Sequence, residues 1–204
     1  MTTANDRTSE YPIDPMFLER WSPRAFTGEE MPEADLLSMI DAGHWAASSY
    51  NAQPWRFVYA RRNTSPWDRL LNLLNPSNRA WAERASALLI IVSYGLMARP
   101  GGEKPIPSHS HSFDTGMAVA QFILQGMKLG YHSHGMVGFD INRAYAELNV
   151  PADHRVEAAF AVGRKADKSI LPGATRAREK PNQRNPVKGI AFEGGFRATA
   201  NSAV

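Results

Sequence analysis

The sequence predicts an α+β protein in which helices flank a central mixed sheet, and three observations carry that prediction. Strand-like and helix-like stretches alternate along the chain instead of segregating into halves. Residues 88–94 hold the run Leu-Leu-Ile-Ile-Val, apolar on both faces, as a strand covered by helices on both sides must be. Residues 113–129 carry Met117, Ala120, Ile123, Leu124 and Met127 at helical spacing. With 204 residues, 43% of them hydrophobic and 21% charged, the chain is long enough for one domain with an extension. That composition excludes wholesale disorder, collagen-like repeats and a coiled coil.

Residues 1–14 are polar and are expected to form a flexible N-terminal segment. Pro32, followed by Leu36, Leu37 and Ile40, predicts a helix over 32–46 with an apolar stripe. Residues 55–60 read as a strand. Ser65-Pro66 with Asp68, then Leu70, Leu71 and Leu74, predicts a second capped helix, and Ser77 is a candidate cap for a third reaching Arg84. The strand over 88–94 follows, and then a loop over 95–112, marked by three prolines and Gly101-Gly102. In the long helix over 113–129, Gly126 stands four residues before Gly130, a spacing that permits close helix approach. Residues 131–139 read as strand, Asp140 caps a helix to about 149, and 154–163 read as strand. Pro172, Gly173, Pro181 and Pro186 make the last forty residues a poor independent domain, so the expected organisation is a core over 15–164 and an extension over 165–204.

Charge and cysteine content narrow the chemistry. Zero cysteines exclude disulfides, thiolate metal sites, iron–sulfur clusters and cysteine nucleophiles, so redox chemistry would need an organic cofactor. The net charge is +3, and residues 165–204 hold eight Lys or Arg against three Asp or Glu, so the surplus lies in the tail. A basic tail suits nucleic acid or a phosphorylated cofactor. Nucleic acid is the weaker case, because only Phe192 and Phe196 are aromatic there and no binding motif is present. The most apolar helical stretch is interrupted by Gln121, Gln125 and Lys128, which argues against a membrane span and for a cytoplasmic protein.

Most catalytic signatures fail. Gly-x-Gly-x-x-Gly and the phosphate loop are absent. Residues 131–135, Tyr-His-Ser-His-Gly, lack the first glycine of a nucleophile elbow. The pairs His109/His111 and His132/His134 have metal-ligand spacing on a strand, but no third ligand is placed, so they read as ordinary loop or surface histidines and no metal is expected. Arg20-Trp21-Ser22-Pro23-Arg24 is either a surface arginine pair or, with both guanidinium groups pointing one way from extended chain, a phosphate contact. Residues 47–55, Ala-Ser-Ser-Tyr-Asn-Ala-Gln-Pro-Trp, offer donors and acceptors suited to a flat heterocycle with imide edges.

Taken in order, Arg20-x-Ser22-x-Arg24, then Ser48-Ser49-x-Asn51-x-Gln53-Pro54-Trp55, then residues 135–140, Gly-Met-Val-Gly-Phe-Asp, make the chain resemble the FMN-dependent nitroreductase family over about 17–192. The resemblance implies an α+β homodimer with two FMN at the subunit interface and a C-terminal extension crossing to the partner. It assigns Arg20, Ser22 and Arg24 to the phosphate and ribityl chain. Ser48, Ser49 and Asn51, with Gln53 beside them, approach the flavin from the partner subunit. Asn78 reaches the isoalloxazine ring, the backbone amides of Val137 and Gly138 face N5 and O4, and Arg184 closes over the phosphate, with Asn182 where the family motif has lysine. Two positions depart from the pattern: Ala47 stands where proline is common, and Val137 where some members carry glutamate.

The implied function is an FMN-dependent oxidoreductase that takes hydride from NAD(P)H and reduces nitroaromatic, quinone or related acceptors by a ping-pong mechanism, with no catalytic side chain. The alternatives are another reaction on the same scaffold, such as dehalogenation, flavin breakdown or ring oxidation, and a non-enzymatic basic nucleic-acid-binding protein.

Overall fold

The computed structural model of the protein describes residues 5–99 and 101–197. These fall into two compact units, one made of 5–21 with 181–197 and the other of 22–180. The division differs from the expected core over 15–164 and extension over 165–204: residues 165–180 belong with the larger unit and 15–21 with the smaller. In the smaller unit, Pro15 occupies the first turn of helix α1 (Pro15–Glu19), and the Asp14 carboxylate accepts a hydrogen bond from Met16 N at 2.8 Å. Polar contacts join its two segments: Gln183 Nε2 donates to Asp6 O at 2.8 Å, and Val187 N donates to Glu10 Oε2 at 3.2 Å.

The larger unit holds, in chain order, α2 (Glu33–His44), β1 (Trp55–Arg61), α3 (Trp67–Leu71), α4 (Pro76–Ala82), β2 (Ala87–Tyr94), β3 (Leu96–Met97), β4 (Ile106–Pro107), α5 (His111–Lys128), β5 (His132–Met136), α6 (Ile141–Glu147), β6 (His154–Gly163) and α7 (Gly173–Ala177). Four strands form one sheet in the order β1-β2-β6-β5. All three pairings are antiparallel, with Phe57 opposite Ile91, Ile90 opposite Ala159 and Ser133 opposite Val162. The expectation of a mixed sheet is corrected to this extent. The chain between β5 and β6 returns to the neighbouring strand in the opposite direction, and no right-handed crossover of the kind that makes neighbours parallel joins them.

Strand β2 explains the layering. Leu88, Ile90 and Val92 point into a core with Trp67, Leu70, Leu73, Trp81 and Ala144, whereas Ala87, Leu89 and Ile91 point into a second core with Leu36, Met39 and Phe122. Helices α3, α4 and α6 therefore cover one face of the sheet and α2 and α5 the other. Burying seven of its eight residues is what the two-sided apolar run foretells.

Several local expectations change. Asn75, not Ser77, caps α4: its side chain accepts from Asn78 N, and Pro76 fixes the first helical position so that the cap must precede it. Helix α3 stops at Leu71 and has no side-chain cap. The 95–112 loop contains the short β3–β4 ladder, and α5 begins two residues early. Strand β5 ends at Met136 because the next carbonyls and amides are taken by α4 and its approach: Asn75 N donates to Gly138 O at 3.1 Å and Asp140 N to Leu73 O at 2.8 Å. Gly126 packs within the subunit, where a Cβ would lie 2.5 Å from Met39 Cε on α2. Gly130 ends α5 at φ +82°, with Tyr131 N bonded back to Gly126 O at 2.8 Å, so the glycine pair does not by itself argue for contact between subunits. No helix among the described residues is long and apolar enough to cross a membrane.

Candidate functional site

The segment Ser22-Pro23-Arg24-Ala25 is extended and held from three sides. Arg24 N and Ala25 N both donate to Glu179 Oε1, at 2.7 and 2.9 Å, and Arg24 Nη1 lies 3.7 Å from Glu179 Oε2. Ala166 N donates to Ala25 O at 2.8 Å and Thr27 N to Arg164 O at 3.0 Å, so the segment runs beside the end of β6. On its other side His134 Nδ1 is 3.0 Å from Pro23 O, which only accepts, so that nitrogen carries the proton. The His134 ring packs against Trp81 at 4.6 Å between centroids. Burial pushes its pKa below the ordinary histidine value, with the Arg24 charge adding to the effect against the Pro23 bond and Glu179. Glu179 is buried and sits 155 residues from Arg24 in sequence, where no local signal could have found it.

Residues 48–53 form a turn with three non-glycine residues in the left-handed region within four positions: Tyr50 at φ 51°, Asn51 at 53° and Gln53 at 48°. Such backbone persists only where surrounding bonds over-determine it. Ser48 Oγ accepts from Gln53 N at 3.0 Å across the turn. Buried Asp114, in the first turn of α5, accepts from Ser49 N at 3.1 Å and from Ser110 Oγ at 3.0 Å. Gln53 Nε2 donates to Asn51 O at 3.0 Å, and Arg56 Nη1 donates to Gln53 O at 2.9 Å. Ser48 and Gln53 thus brace the turn itself, while the Asn51 side chain stands outward.

Val137 and Gly138 follow β5. The Val137 side chain is 81% exposed, and Gly138 O accepts from both Asn75 N and Asn78 Nδ2, the latter at 3.0 Å. A Cβ on Gly138 would lie 2.5 Å from Asn75 Nδ2 and 2.7 Å from Asn78 Nδ2. The glycine is required by two carboxamides that close against its α-carbon, which is a different constraint from a flat ligand facing it. Asn78 and Gly138 are therefore brought into contact, and His134, which packs on the Ser22–Arg24 segment, lies three residues before Val137 on the same stretch of chain.

Arg20 and Arg184 belong to the smaller unit. Burial and the neighbouring Arg184 charge lower the Arg20 pKa, so the two guanidinium groups sit close enough to repel. Asn182 O accepts from Arg184 Nη1 at 3.4 Å. The His109/His111 pair is divided, His109 being exposed in a loop and His111 opening α5 with Nδ1 2.7 Å from Ser93 Oγ, while His132 and His134 both lie on β5. Among the described residues no three His, Asp or Glu side chains are placed to hold a metal ion.

This chain belongs to the nitroreductase family. The family profile matches residues 18–79, the stretch that holds Arg20, Ser22, Arg24, the 48–53 turn and Asn78. The chain is 47% identical to a crystal structure of an oxidoreductase containing FMN, the match covering 98% of this chain and all of that one with a TM-score of 0.92. It is 25% identical over 162 residues to protein DrgA of Synechocystis sp., covering 67% of this chain and 75% of that protein. It shares its fold with a Desulfovibrio desulfuricans protein solved in complex with FMN, at 22% identity and a TM-score of 0.68 over 93% of this chain and all of that one.

Proposed function

We propose that this protein is an FMN-dependent oxidoreductase that takes hydride from NADH or NADPH and reduces nitroaromatic, quinone or related electrophilic acceptors in a ping-pong cycle, acting as a homodimer in the cytoplasm, where those donors are available. The observation that carries the reading is the 47% identity, over 98% of the chain, to an oxidoreductase that contains FMN.

The donor set fits that cofactor. Arg20 and Arg184 place fixed positive charges near one another, which suits a phosphate dianion. Ser22 and Arg24, on a segment anchored by Glu179 and His134, are the residues that would hold the ribityl chain. The 48–53 turn presents Ser48, Ser49, Asn51 and Gln53 on backbone that cannot relax, and Asn78 with the Val137 and Gly138 amides would orient the ring edge. When bound, FMN supplies the redox chemistry, accepting hydride from the nicotinamide and passing reducing equivalents on. No side chain of this chain has to act as acid or base; the residues bind, orient and hold charge. Trp45, Tyr50 and Phe113 are 80%, 63% and 71% exposed around the 48–53 turn, a set of apolar side chains that a partner subunit would cover.

The test is titration of flavin-free protein with FMN, followed by anaerobic NAD(P)H oxidation with a nitroaromatic or quinone. Arg20→Ala should weaken FMN binding about 30- to 1000-fold, the loss of a charge-assisted contact worth about 2–4 kcal/mol. Unchanged affinity removes Arg20 from the site. Absence of any FMN binding by the wild type refutes the reading.

A further inference from the structure

Arg7 is the hub of the smaller unit. Its Nη1 donates to Arg20 O at 2.6 Å and to Leu18 O at 3.2 Å, and its Nε donates to Asn182 O at 2.8 Å. One planar group thus ties the end of α1 to the 182–184 segment. The carbonyls it holds belong to Arg20 itself and to the residue two before Arg184. Arg184 Nη1 turns toward the same place, donating to Gln183 O at 3.1 Å. A small cleft is lined here by Arg7, Phe17, Leu18, Asn182 and Arg184. Burial, then the charges of Arg184 and Arg20, push the Arg7 pKa below the ordinary arginine value. The Glu19 carboxylate opposes that shift on Arg7, and three guanidinium groups gathered around one spot suit a multivalent anion.

We propose that Arg7 is a positioning residue for the cofactor's phosphate: through the carbonyls of Arg20 and Asn182 it sets the spacing of the Arg20 and Arg184 side chains. The inference rests on the FMN reading above and deepens it. Arginine is needed because its rigid fork sends donors from two different nitrogens toward carbonyls on separate segments, whereas a lysine ammonium is a single point of donation.

The experiment compares FMN with riboflavin, which has the same ring and ribityl chain but no phosphate. Full-length protein freed of flavin is titrated with each by fluorescence, as wild type, Arg7→Ala, Arg7→Lys and Arg7→Ala with Arg20→Ala. Arg7→Ala should weaken FMN about 10- to 100-fold and riboflavin less than about threefold, so the preference for FMN collapses. Arg7→Lys keeps the charge and loses the fork, so its preference should fall at least about threefold. The double variant should bind FMN little worse than Arg20→Ala alone, because Arg7 acts through that side chain. Equal weakening of both flavins, additive losses in the double variant, or a full FMN preference in Arg7→Lys overturns the proposal. Should Arg7→Ala not fold, Arg7→Lys decides alone. Wild-type protein that binds neither flavin overturns the FMN reading itself, a result distinct from any of these.

Discussion

Gly138→Ala tests the packing at the end of β5 without reference to any ligand. The new Cβ would lie 2.5 Å from Asn75 Nδ2 and 2.7 Å from Asn78 Nδ2, well inside ordinary contact, so both carboxamides must move. Neither moves freely. Asn75 Oδ1 accepts from Asn78 N at 2.9 Å and from Ser77 Oγ at 3.0 Å, while Asn78 Nδ2 donates to Gly138 O. Displacing them removes the α4 cap, worth about 1 kcal/mol, and one side-chain bond, worth about 1 kcal/mol. Residual overpacking brings the total to about 2–4 kcal/mol. For a unit of this size each kcal/mol lowers the melting temperature by roughly 2–4 °C. The assay is urea and thermal unfolding of flavin-free protein carrying Gly138→Ala alone and together with Asn75→Ala and Asn78→Ala. In the asparagine-free background the alanine should cost less than about 1 kcal/mol, because the atoms it strikes are gone. A Gly138→Ala protein as stable as wild type, or one with the same cost in both backgrounds, refutes the steric argument. Loss of FMN affinity with no loss of flavin-free stability would instead mean that the ligand forbids the side chain.

Glu179→Ala leaves the half-buried N–H of Arg24 and the buried N–H of Ala25 without their acceptor and should cost about 2–4 kcal/mol in chemical denaturation, whereas Glu179→Gln, which keeps one carbonyl oxygen, should cost about 1 kcal/mol. An alanine variant within about 0.5 kcal/mol of wild type removes Glu179 as the anchor of that segment. The depressed pKa of His134 sets a pH dependence: the unfolded chain takes up its proton near pH 6.5 and the folded chain only at lower pH. Stability is therefore full above about pH 6.5 and falls as pH drops from there through the folded value, levelling off below it. Urea midpoints from pH 7.5 to 5 should fall less steeply for His134→Gln than for wild type, and identical slopes would exclude His134 as the titrating group.

The parts of the fold that were legible are those whose side chains face two ways at once. Strand β2 declared itself by being apolar at consecutive positions, and β6 ended where its apolar run met Gly163. The start of α5 was not legible, because its first turn lies in a His- and Ser-rich stretch and is fixed by Asp114 bonding Ser110, not by an apolar period. The direction of strand pairing was not legible either, since β2 meets β6 across some sixty residues of intervening chain and neither sequence specifies which neighbour it takes. The smaller unit escaped for a related reason: Gln183 with Asp6, and Val187 with Glu10, are polar contacts across 177 residues, and polar residues of those types leave no periodic trace.

The candidate site divides along the same line. Its exposed segments could be read from residue type and spacing, because Arg-x-Ser-x-Arg and the 48–55 run have few bland explanations together. Their supports could not, because each is an ordinary charged residue bonded to main chain: Glu179 to the amides of residues 24 and 25, Asp114 to the amide of Ser49, Arg7 to the carbonyl of Arg20. A backbone amide or carbonyl is present at every position, so the supported segment carries no matching residue that would reveal its partner. Gly138 shows the limit in its sharpest form. The sequence says that a side chain is missing, and only coordinates say that the space belongs to Asn75 and Asn78. Ligand-binding variants at such a position mix two causes, the collapse of a support and the loss of a contact, and flavin-free stability measured beside flavin affinity is what separates them.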